Sequence, residues 1–300
     1  MMRFVLSLSV LALATPLYAQ QAPPAAPVQV APPTQVDVPW NDALPPGTAD
    51  HAARALKESS RHQEWVKIKM ADGTDLNAFV VYPERANKAG VVIVIHDIRG
   101  MADIPKAVGD QLAQDGYIVI VPDFLSGKGP NGGGTESLGS GVGQAIQGLT
   151  NEDFDARFSA AVKYAKGIPA SNGKVASLGF CWGGTKSFLA AIQQPTLNAA
   201  VVFYGDVPGF RDGPTAYEPL MSKITAPVMG FYGGSDARIG ATIPGTVESM
   251  KKLGKFYEPH SFDGAGHGFM GAQAGAGGAN LKAAQQAWPM VLTFLGEKLK

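Results

Sequence analysis

The chain has 300 residues, and its 25 basic side chains balance its 25 acidic ones. A neutral chain lacks the basic surface on which nucleic-acid binding depends and the polybasic cluster that anionic lipids attract. We therefore expect no nucleic-acid partner and no lipid-bound state. The length allows one large domain or two small ones, and the order of the predicted elements favours one.

The first residues predict an export signal. A positive charge at Arg3 precedes an apolar run over residues 4–14, and Ala19 supplies a small residue for cleavage. We predict a signal peptide over residues 1–19, hence an exported, periplasmic or secreted protein. An uncleaved anchor is the alternative, but the run is short beside the roughly 20 residues of a membrane span. After cleavage we expect no stable membrane insertion.

Residues 20–50 are rich in Pro, Ala and Gln. Repeated prolines remove backbone donors and block helices, so we predict a disordered or polyproline-like tether. We assign the folded domain to residues 51–300.

Strands and helices alternate along the predicted domain. Two short strands on either side of an Ala-Asp-Gly-Thr turn predict an antiparallel hairpin at the sheet edge, residues 65–70 and 76–82. Further strands, most of them apolar throughout, are predicted at residues 91–95, 117–121, 174–179, 199–204, 227–232 and 256–261. Helical spacing is found at residues 104–114, 152–166, 183–193, 244–253 and 281–299. The order predicts a mostly parallel, doubly wound sheet with helices on both faces and a ligand site beyond the strand ends.

The most informative motif is Gly179-Phe180-Cys181-Trp182-Gly183, between a predicted strand and a predicted helix. It has the small-x-nucleophile-x-small spacing of a nucleophile elbow, with Cys in the place of Ser. The tight turn leaves no room for larger neighbours, and the start of the helix favours negative charge on sulfur. The chain has a single cysteine, which in an exported protein argues for chemistry. The alternative is a buried thiol that only packs.

A thiol nucleophile needs a base, and the base needs a residue that orients it; in this fold both follow the nucleophile. His267 lies in a glycine-rich loop after the last predicted strand, whereas His260 lies inside that strand. Asp236 directly follows the preceding predicted strand, and Asp206, one strand earlier, is the alternative acid. We predict Cys181 as the nucleophile, His267 as the base and Asp236 as its partner.

Two backbone amides are expected to form an oxyanion hole, one from Trp182 at the elbow and one from Ile98. Ile98 lies in the loop that follows the first buried strand. The same loop places Asp97 near the thiol, as a candidate to activate it. His96 and Arg99 either line the pocket or brace the loop.

Candidates for substrate binding are the side chains near the predicted strand ends: Arg99, Tyr204, Arg238 and Phe269. Two glycine-rich stretches, residues 126–134 and 271–278, are expected to be mobile loops or lids at the pocket mouth. The first lacks the Gly-Lys-Ser/Thr ending of a phosphate loop, and the five scattered histidines lack metal-ligand spacing. We expect no nucleotide, metal or other cofactor.

Several segments resemble the dienelactone hydrolase family, over about residues 60–300. They are residues 96–100, 171–175 and 179–184, Asp236 and the AGHGF sequence at residues 265–269. The resemblance implies an α/β-hydrolase fold without a cofactor, and it assigns the triad and the oxyanion amides to the positions named above. Members of the family hydrolyse the ester bond of unsaturated lactones.

Two positions depart from the family pattern. Asp97 stands where the family carries a Glu that holds the resting thiol and helps to ionise it. Gly271 stands where the family carries an Arg that binds the substrate carboxylate. These changes favour a neutral or differently held ester, with Arg99 or Arg238 as candidates to replace the missing Arg.

The sequence therefore predicts a thiol esterase or lactonase that acts as a monomer on a small-molecule ester or lactone. One alternative is a non-catalytic exported binding protein on the same fold. Another is a redox sensor that uses Cys181, which would form dimers on oxidation because the chain has no second cysteine.

Overall fold

The computed structural model describes residues 35–300. Its strands are β1 (Gln63–Lys69), β2 (Asp75–Val81), β3 (Ala89–Ile95), β4 (Ile118–Pro122), β5 (Ser171–Phe180), β6 (Ala199–Phe203), β7 (Val228–Gly233) and β8 (Tyr257–Phe262). Its α-helices are α1 (Ala49–Glu58), α2 (Asp103–Gln114), α3 (Thr135–Leu138), α4 (Val142–Gln147), α5 (Asn151–Gly167), α6 (Trp182–Gln193), α7 (Pro214–Met221), α8 (Ala237–Gly240), α9 (Ile243–Lys252) and α10 (Ala279–Lys298).

The strands form one sheet in the order β1-β2-β4-β3-β5-β6-β7-β8. β1 pairs with β2, and β2 with β4, in antiparallel fashion, whereas the pairs from β4 onward to β8 are parallel. The predicted hairpin at the sheet edge is therefore confirmed, as is the mostly parallel sheet. Its carboxyl edge gathers the loops that follow β3 to β8, where the sequence predicts the site.

Strand β3 explains why the central strands lack polar alternation. Side chains of successive residues point to opposite faces of a sheet. Val91, Ile93 and Ile95 belong to a buried cluster that includes residues of α5 and α6. Val92 and Val94 belong to a second buried cluster, which includes residues of α2 and α10. Both faces are covered by helices, so every position of the strand is apolar and buried.

The structure differs from the predicted tether over residues 35–50. Helix α1 begins at Ala49 with Thr48 as its N-cap, so the predicted boundary at residue 50 falls inside a helix. Leu44 is 6% exposed and shares a buried cluster with residues of α2. The carbonyl of Pro45 accepts a hydrogen bond of 2.9 Å from the buried side chain of Gln273.

The composition of this segment misled the prediction because proline removes donors but leaves carbonyls free to accept. Val38, like Leu44, finds apolar surface on the domain and is buried. The predicted signal peptide, residues 1–19, and the first part of the predicted tether, residues 20–34, lie outside the described residues. Within residues 35–300, no helix has both the length and the apolar character needed to cross a bilayer.

Substituting Leu44 tests whether this segment belongs to the folded domain. We expect Leu44→Ala to lower the free energy of unfolding by about 2 kcal/mol, because it removes apolar area buried against the domain. Asp37→Ala is the matched control in the same segment; its side chain is exposed, and we expect a change within about 0.5 kcal/mol. Chemical denaturation measures both. Equal stabilities for Leu44→Ala and the parent would mean that the segment does not contribute to the fold.

Candidate active site

Cys181 lies in the turn between β5 and α6. Its backbone angles are φ 56° and ψ −114°, a backbone conformation that residues with a Cβ rarely adopt. Such a conformation costs about 1–3 kcal/mol and persists only where the surroundings enforce it. The Cys181 N–H donates to the carbonyl of Phe203, the last residue of β6, at 3.0 Å. The thiol is partly exposed to solvent.

Glycines allow this turn because the backbone packs against itself. A Cβ on Gly179 would lie 1.9 Å from the carbonyl oxygen of Gly183. A Cβ on Gly183 would lie 2.3 Å from the carbonyl oxygen of Ile95, at the end of β3. Both obstacles are main-chain atoms, which cannot rotate away, so the predicted need for small residues around Cys181 is confirmed.

His267 and Asp236 meet above the ends of β7 and β8. Nδ1 of His267 lies 2.5 Å from Oδ2 of Asp236. Oδ1 of Asp236 accepts from the N–H of Ile239 at 3.3 Å, so the carboxylate also caps α8. The Ser235 N–H donates to the carbonyl of Ala265 at 2.9 Å and ties the two loops together. The carboxylate is thus fixed on both oxygens and presents one of them to the ring.

The ring of His267 also lies near the thiol of Cys181. The pKa of His267 is raised, and the nearby Cys181 thiol is the largest cause; burial opposes the shift, and the bond to Asp236 adds to it. Because Nδ1 is bonded to Asp236, Nε2 is the nitrogen available to the sulfur. The ring of Tyr204 lies 5.0 Å from that of His267 and closes one side of the cluster. The structure therefore brings together the three residues that the sequence analysis selected.

The two alternatives considered from the sequence lie elsewhere. His260, on β8, stacks on Phe231 at 5.6 Å and pairs with Glu258 at 3.1 Å. Asp206 accepts a hydrogen bond of 2.7 Å from the hydroxyl of Thr185. Within residues 35–300, neither His260 nor Asp206 forms a side-chain hydrogen bond with Cys181, whereas His267 pairs with Asp236.

The amides of Ile98 and Trp182 are the predicted oxyanion donors. In residues 35–300, neither N–H donates to a protein acceptor. Trp182 is the first residue of α6, and the first N–H groups of a helix have no partner within it. Ile98 lies in a turn with 51% of its surface exposed. Both amides therefore satisfy the chemical requirement for the predicted oxyanion hole.

His96 braces its loop and does not line the pocket. The side chain is fully buried, stacked on Trp182 at 5.6 Å. Nδ1 lies 3.0 Å from the carbonyl of Asp97, and Nε2 accepts from the N–H of Phe124 at 3.3 Å. Burial is the largest cause of its lowered pKa. Since one nitrogen faces an acceptor and the other a donor, the neutral ring fits this position and a charged one does not.

Asp97 is engaged by Arg99 and has no hydrogen bond to Cys181 in the part of the chain that the structure describes. The Arg99 Nε lies 2.9 Å from Asp97 Oδ2, and Nη2 lies 2.5 Å from the same oxygen. The guanidinium lies beside Gly271, since a Cβ built there would be 3.6 Å from Nη2. A small cavity extends from this ion pair, bounded further by Tyr204, Phe180, Met270, Ile104, Pro105 and Val108. Arg99 therefore lies beside Gly271, with its charge compensated by Asp97.

Tyr204 lines this cavity, as predicted, while Phe269 and Arg238 do not. Tyr204 has φ 41°, the second strained residue of the site, and burial raises its pKa well above the usual value. Phe269 is fully buried and packs against Phe203 and Tyr204, and its contact with substrate stays a prediction. Arg238 is exposed and does not line the cavity, so its role in substrate binding stays a prediction.

Sequence reasoning missed Asn280, in the first turn of α10. Its Oδ1 accepts from the N–H of Gly266 at 2.9 Å, and its Nδ2 donates to the carbonyl of Ala272 at 2.8 Å. The amide thus holds the loop of His267 and the glycine-rich stretch 271–278 against the helix. Asn280 and the buried Gln273 both form hydrogen bonds that involve this stretch, whose mobility stays a prediction. A polar residue at the start of a helix with an apolar buried face was the available signal.

The proximity of Cys181 to His267 gives a prediction for the histidine ring. Because the thiol is the largest cause of the raised pKa, we expect Cys181→Ala to lower the pKa of His267. NMR titration of the ring protons measures the shift, with the exposed-surface variant Lys223→Ala as the control. An unchanged pKa in Cys181→Ala would show that the sulfur does not interact with the ring.

Comparison with known proteins agrees with the geometry. A model of the dienelactone hydrolase family matches residues 76–299. A model of a family of unknown function also matches residues 1–112. A protein of Methylorubrum extorquens with the name "Putative carboxymethylenebutenolidase" is 30% identical over 212 residues, which are 68% of this chain and 71% of that protein.

Solved structures share the fold. The dienelactone hydrolase from Anabaena variabilis has a TM-score of 0.61 at 18% identity, covering 81% of this chain and all of that one. A dienelactone hydrolase-like promiscuous phosphotriesterase from metagenomic libraries has a TM-score of 0.64 at 21% identity, covering 79% of this chain and 99% of that one. Together with the family match over most of its length, these findings establish that the chain is a member of the dienelactone hydrolase family.

Proposed function

We propose that this chain hydrolyses carboxylic esters or lactones, with Cys181 as nucleophile, His267 as base and Asp236 as the residue that orients the base. One observation carries the proposal. Cys181 is held in a strained turn near His267, whose Nδ1 is 2.5 Å from the buried carboxylate of Asp236. Nucleophilic acyl transfer needs a nucleophile, a base beside it and a group that orients the base, and these three residues can take those roles.

The chemistry follows from these contacts. The sulfur, having given its proton to His267, attacks the ester carbonyl and forms a tetrahedral intermediate whose oxyanion accepts from the amides of Ile98 and Trp182. The intermediate collapses when the protonated His267 gives its proton to the leaving alkoxide. The resulting thioester is then attacked by water, from which His267 takes a proton, and collapse of the second intermediate returns the thiol and the carboxylic acid.

The charge of the pocket favours a neutral acyl group. The only cation that lines the cavity, within the described chain, is Arg99, and its charge is compensated by Asp97. The remaining lining is mostly apolar, including Met270 and Phe180. We therefore propose a small neutral ester or lactone as substrate, although the relative in Methylorubrum extorquens carries the name of a butenolide hydrolase.

Substitutions in the triad test the proposal. We expect the parent to hydrolyse p-nitrophenyl butyrate, and Cys181→Ala and His267→Ala to reduce kcat/KM by about 10³-fold or more, because each removes a participant in proton transfer or attack. Release of p-nitrophenolate measures the rate.

The alternative acid provides the matched control. Asp236→Asn should reduce the rate by a similar factor, whereas Asp206→Asn, which affects the bond to Thr185, should stay within about threefold of the parent. A parent enzyme that is inert toward neutral esters and lactones would overturn the proposed function. Equal losses in the two Asn variants would overturn the assignment of the acid.

A further inference from the structure

The loop that carries Ile98 needs external support. Its internal hydrogen bonds run from the N–H of Arg99 to Asp97 Oδ1 at 2.8 Å and from the N–H of Gly100 to the Asp97 carbonyl at 3.1 Å. These bonds shape the turn, but both partners lie within it. The position of the Ile98 amide relative to Cys181 therefore depends on contacts that the two ends of the loop make with the rest of the protein.

The amino end of the loop is held by His96, as described above. The carboxyl end is held by Thr135, the first residue of α3. The N–H of Met101 donates to the Thr135 hydroxyl oxygen at 3.1 Å. The hydroxyl in turn donates to Asp123 Oδ1 at 2.7 Å, and the Thr135 N–H donates to Asp123 Oδ2 at 2.8 Å. Asp123 is 6% exposed and directly follows β4, so the chain of bonds ends on the sheet.

This chain of bonds also accounts for the glycine-rich stretch 126–134. The stretch follows β4 and brings Thr135 into hydrogen-bonding contact with Asp123, which precedes it by twelve residues in the chain. A Cβ on Gly134 would lie 2.1 Å from Asp123 Oδ2. On the facing loop, Gly100 has φ 73°, and a Cβ there would lie 2.6 Å from the Thr135 hydroxyl oxygen. The glycines permit close packing around Thr135, which gives the stretch a structural purpose apart from phosphate binding.

We propose that Thr135 is a positioning residue for the reaction, holding the loop of residues 96–101 so that the Ile98 amide faces the developing oxyanion. The inference rests on the proposed function. The buried carboxylate of Asp123 fixes the orientation of the hydroxyl, because a hydrogen bond to a charged acceptor is stronger than a neutral one. The lone pair of the hydroxyl is then aimed at the Met101 N–H. Thr135 does not touch the substrate and acts through the loop.

Thr135→Val and Thr135→Ser form the test pair. Val preserves the shape but can neither accept from Met101 nor donate to Asp123, whereas Ser keeps the hydroxyl. We expect Thr135→Val to reduce kcat for p-nitrophenyl butyrate by about 10- to 100-fold, with KM within about twofold. The misplaced Ile98 amide would weaken binding of the transition state but not of the bound ester. Thr135→Ser should stay within about threefold of the parent.

Alkylation of Cys181 by iodoacetamide separates positioning from general damage. Displacement of iodide by the thiolate forms the C–S bond without any oxyanion, so its rate should be unchanged within about twofold in Thr135→Val. A rate of alkylation that falls together with kcat would mean that the substitution disturbs Cys181 or the fold, and it would overturn the proposal. So would a Thr135→Val enzyme with the kcat of the parent.

Amide hydrogen exchange tests the proposal independently of ester hydrolysis. We expect the Met101 N–H to exchange at least about tenfold faster in Thr135→Val and in Thr135→Ala than in the parent, with Thr135→Ser close to the parent. If the parent does not hydrolyse esters, the proposed function fails, and the exchange rates still decide the role of Thr135. Unchanged exchange in both variants would show that the hydroxyl does not hold the loop.

Discussion

The close crossing of three backbones at the carboxyl edge of the sheet is the constraint on which the rest of the structure depends. A Cβ on Gly183 would meet the end of β3, and a Cβ on Gly184 would lie 2.4 Å from the Phe203 carbonyl oxygen at the end of β6. Because β3, β5 and β6 are adjacent and parallel, the turn after β5 is pressed between its neighbours. This close packing keeps the backbone of Cys181 in its strained conformation. The loops after β3, β7 and β8 then supply the groups that surround the sulfur.

The ion pair of Asp97 and Arg99 links the two departures from the family pattern. The shorter acidic side chain at Asp97 and the missing Arg at Gly271 look independent in the sequence. In space, both positions line the same small cavity beside Tyr204. The guanidinium of Arg99 lies next to Gly271 and is bound to Asp97, which leaves the pocket without a net charge. An anionic substrate would have to compete with Asp97 for this guanidinium, which is the physical reason for proposing a neutral one.

The sequence predicted the features that local constraints decide, while pairings between distant segments required the structure. Apolar runs specified β3 and its neighbours, and the spacing of Gly179 and Gly183 specified the elbow, because sterics act there over a few residues. The burial of Phe269 was not predicted, because its place in the motif does not reveal that its side chain points into the core. The packed segment 35–48 was missed because composition alone does not reveal that its carbonyls find donors 69 and 228 residues away.

Mass spectrometry of the enzyme, quenched in acid while it turns over a p-nitrophenyl ester, tests the central proposal most directly. We expect the mass of the peptide that contains Cys181 to increase by the mass of the acyl group. The adduct should accumulate wherever thioester hydrolysis is slower than thioester formation. Prior alkylation of the thiol should abolish both the adduct and the activity. Full ester hydrolysis by a protein whose Cys181 is completely alkylated would contradict the account.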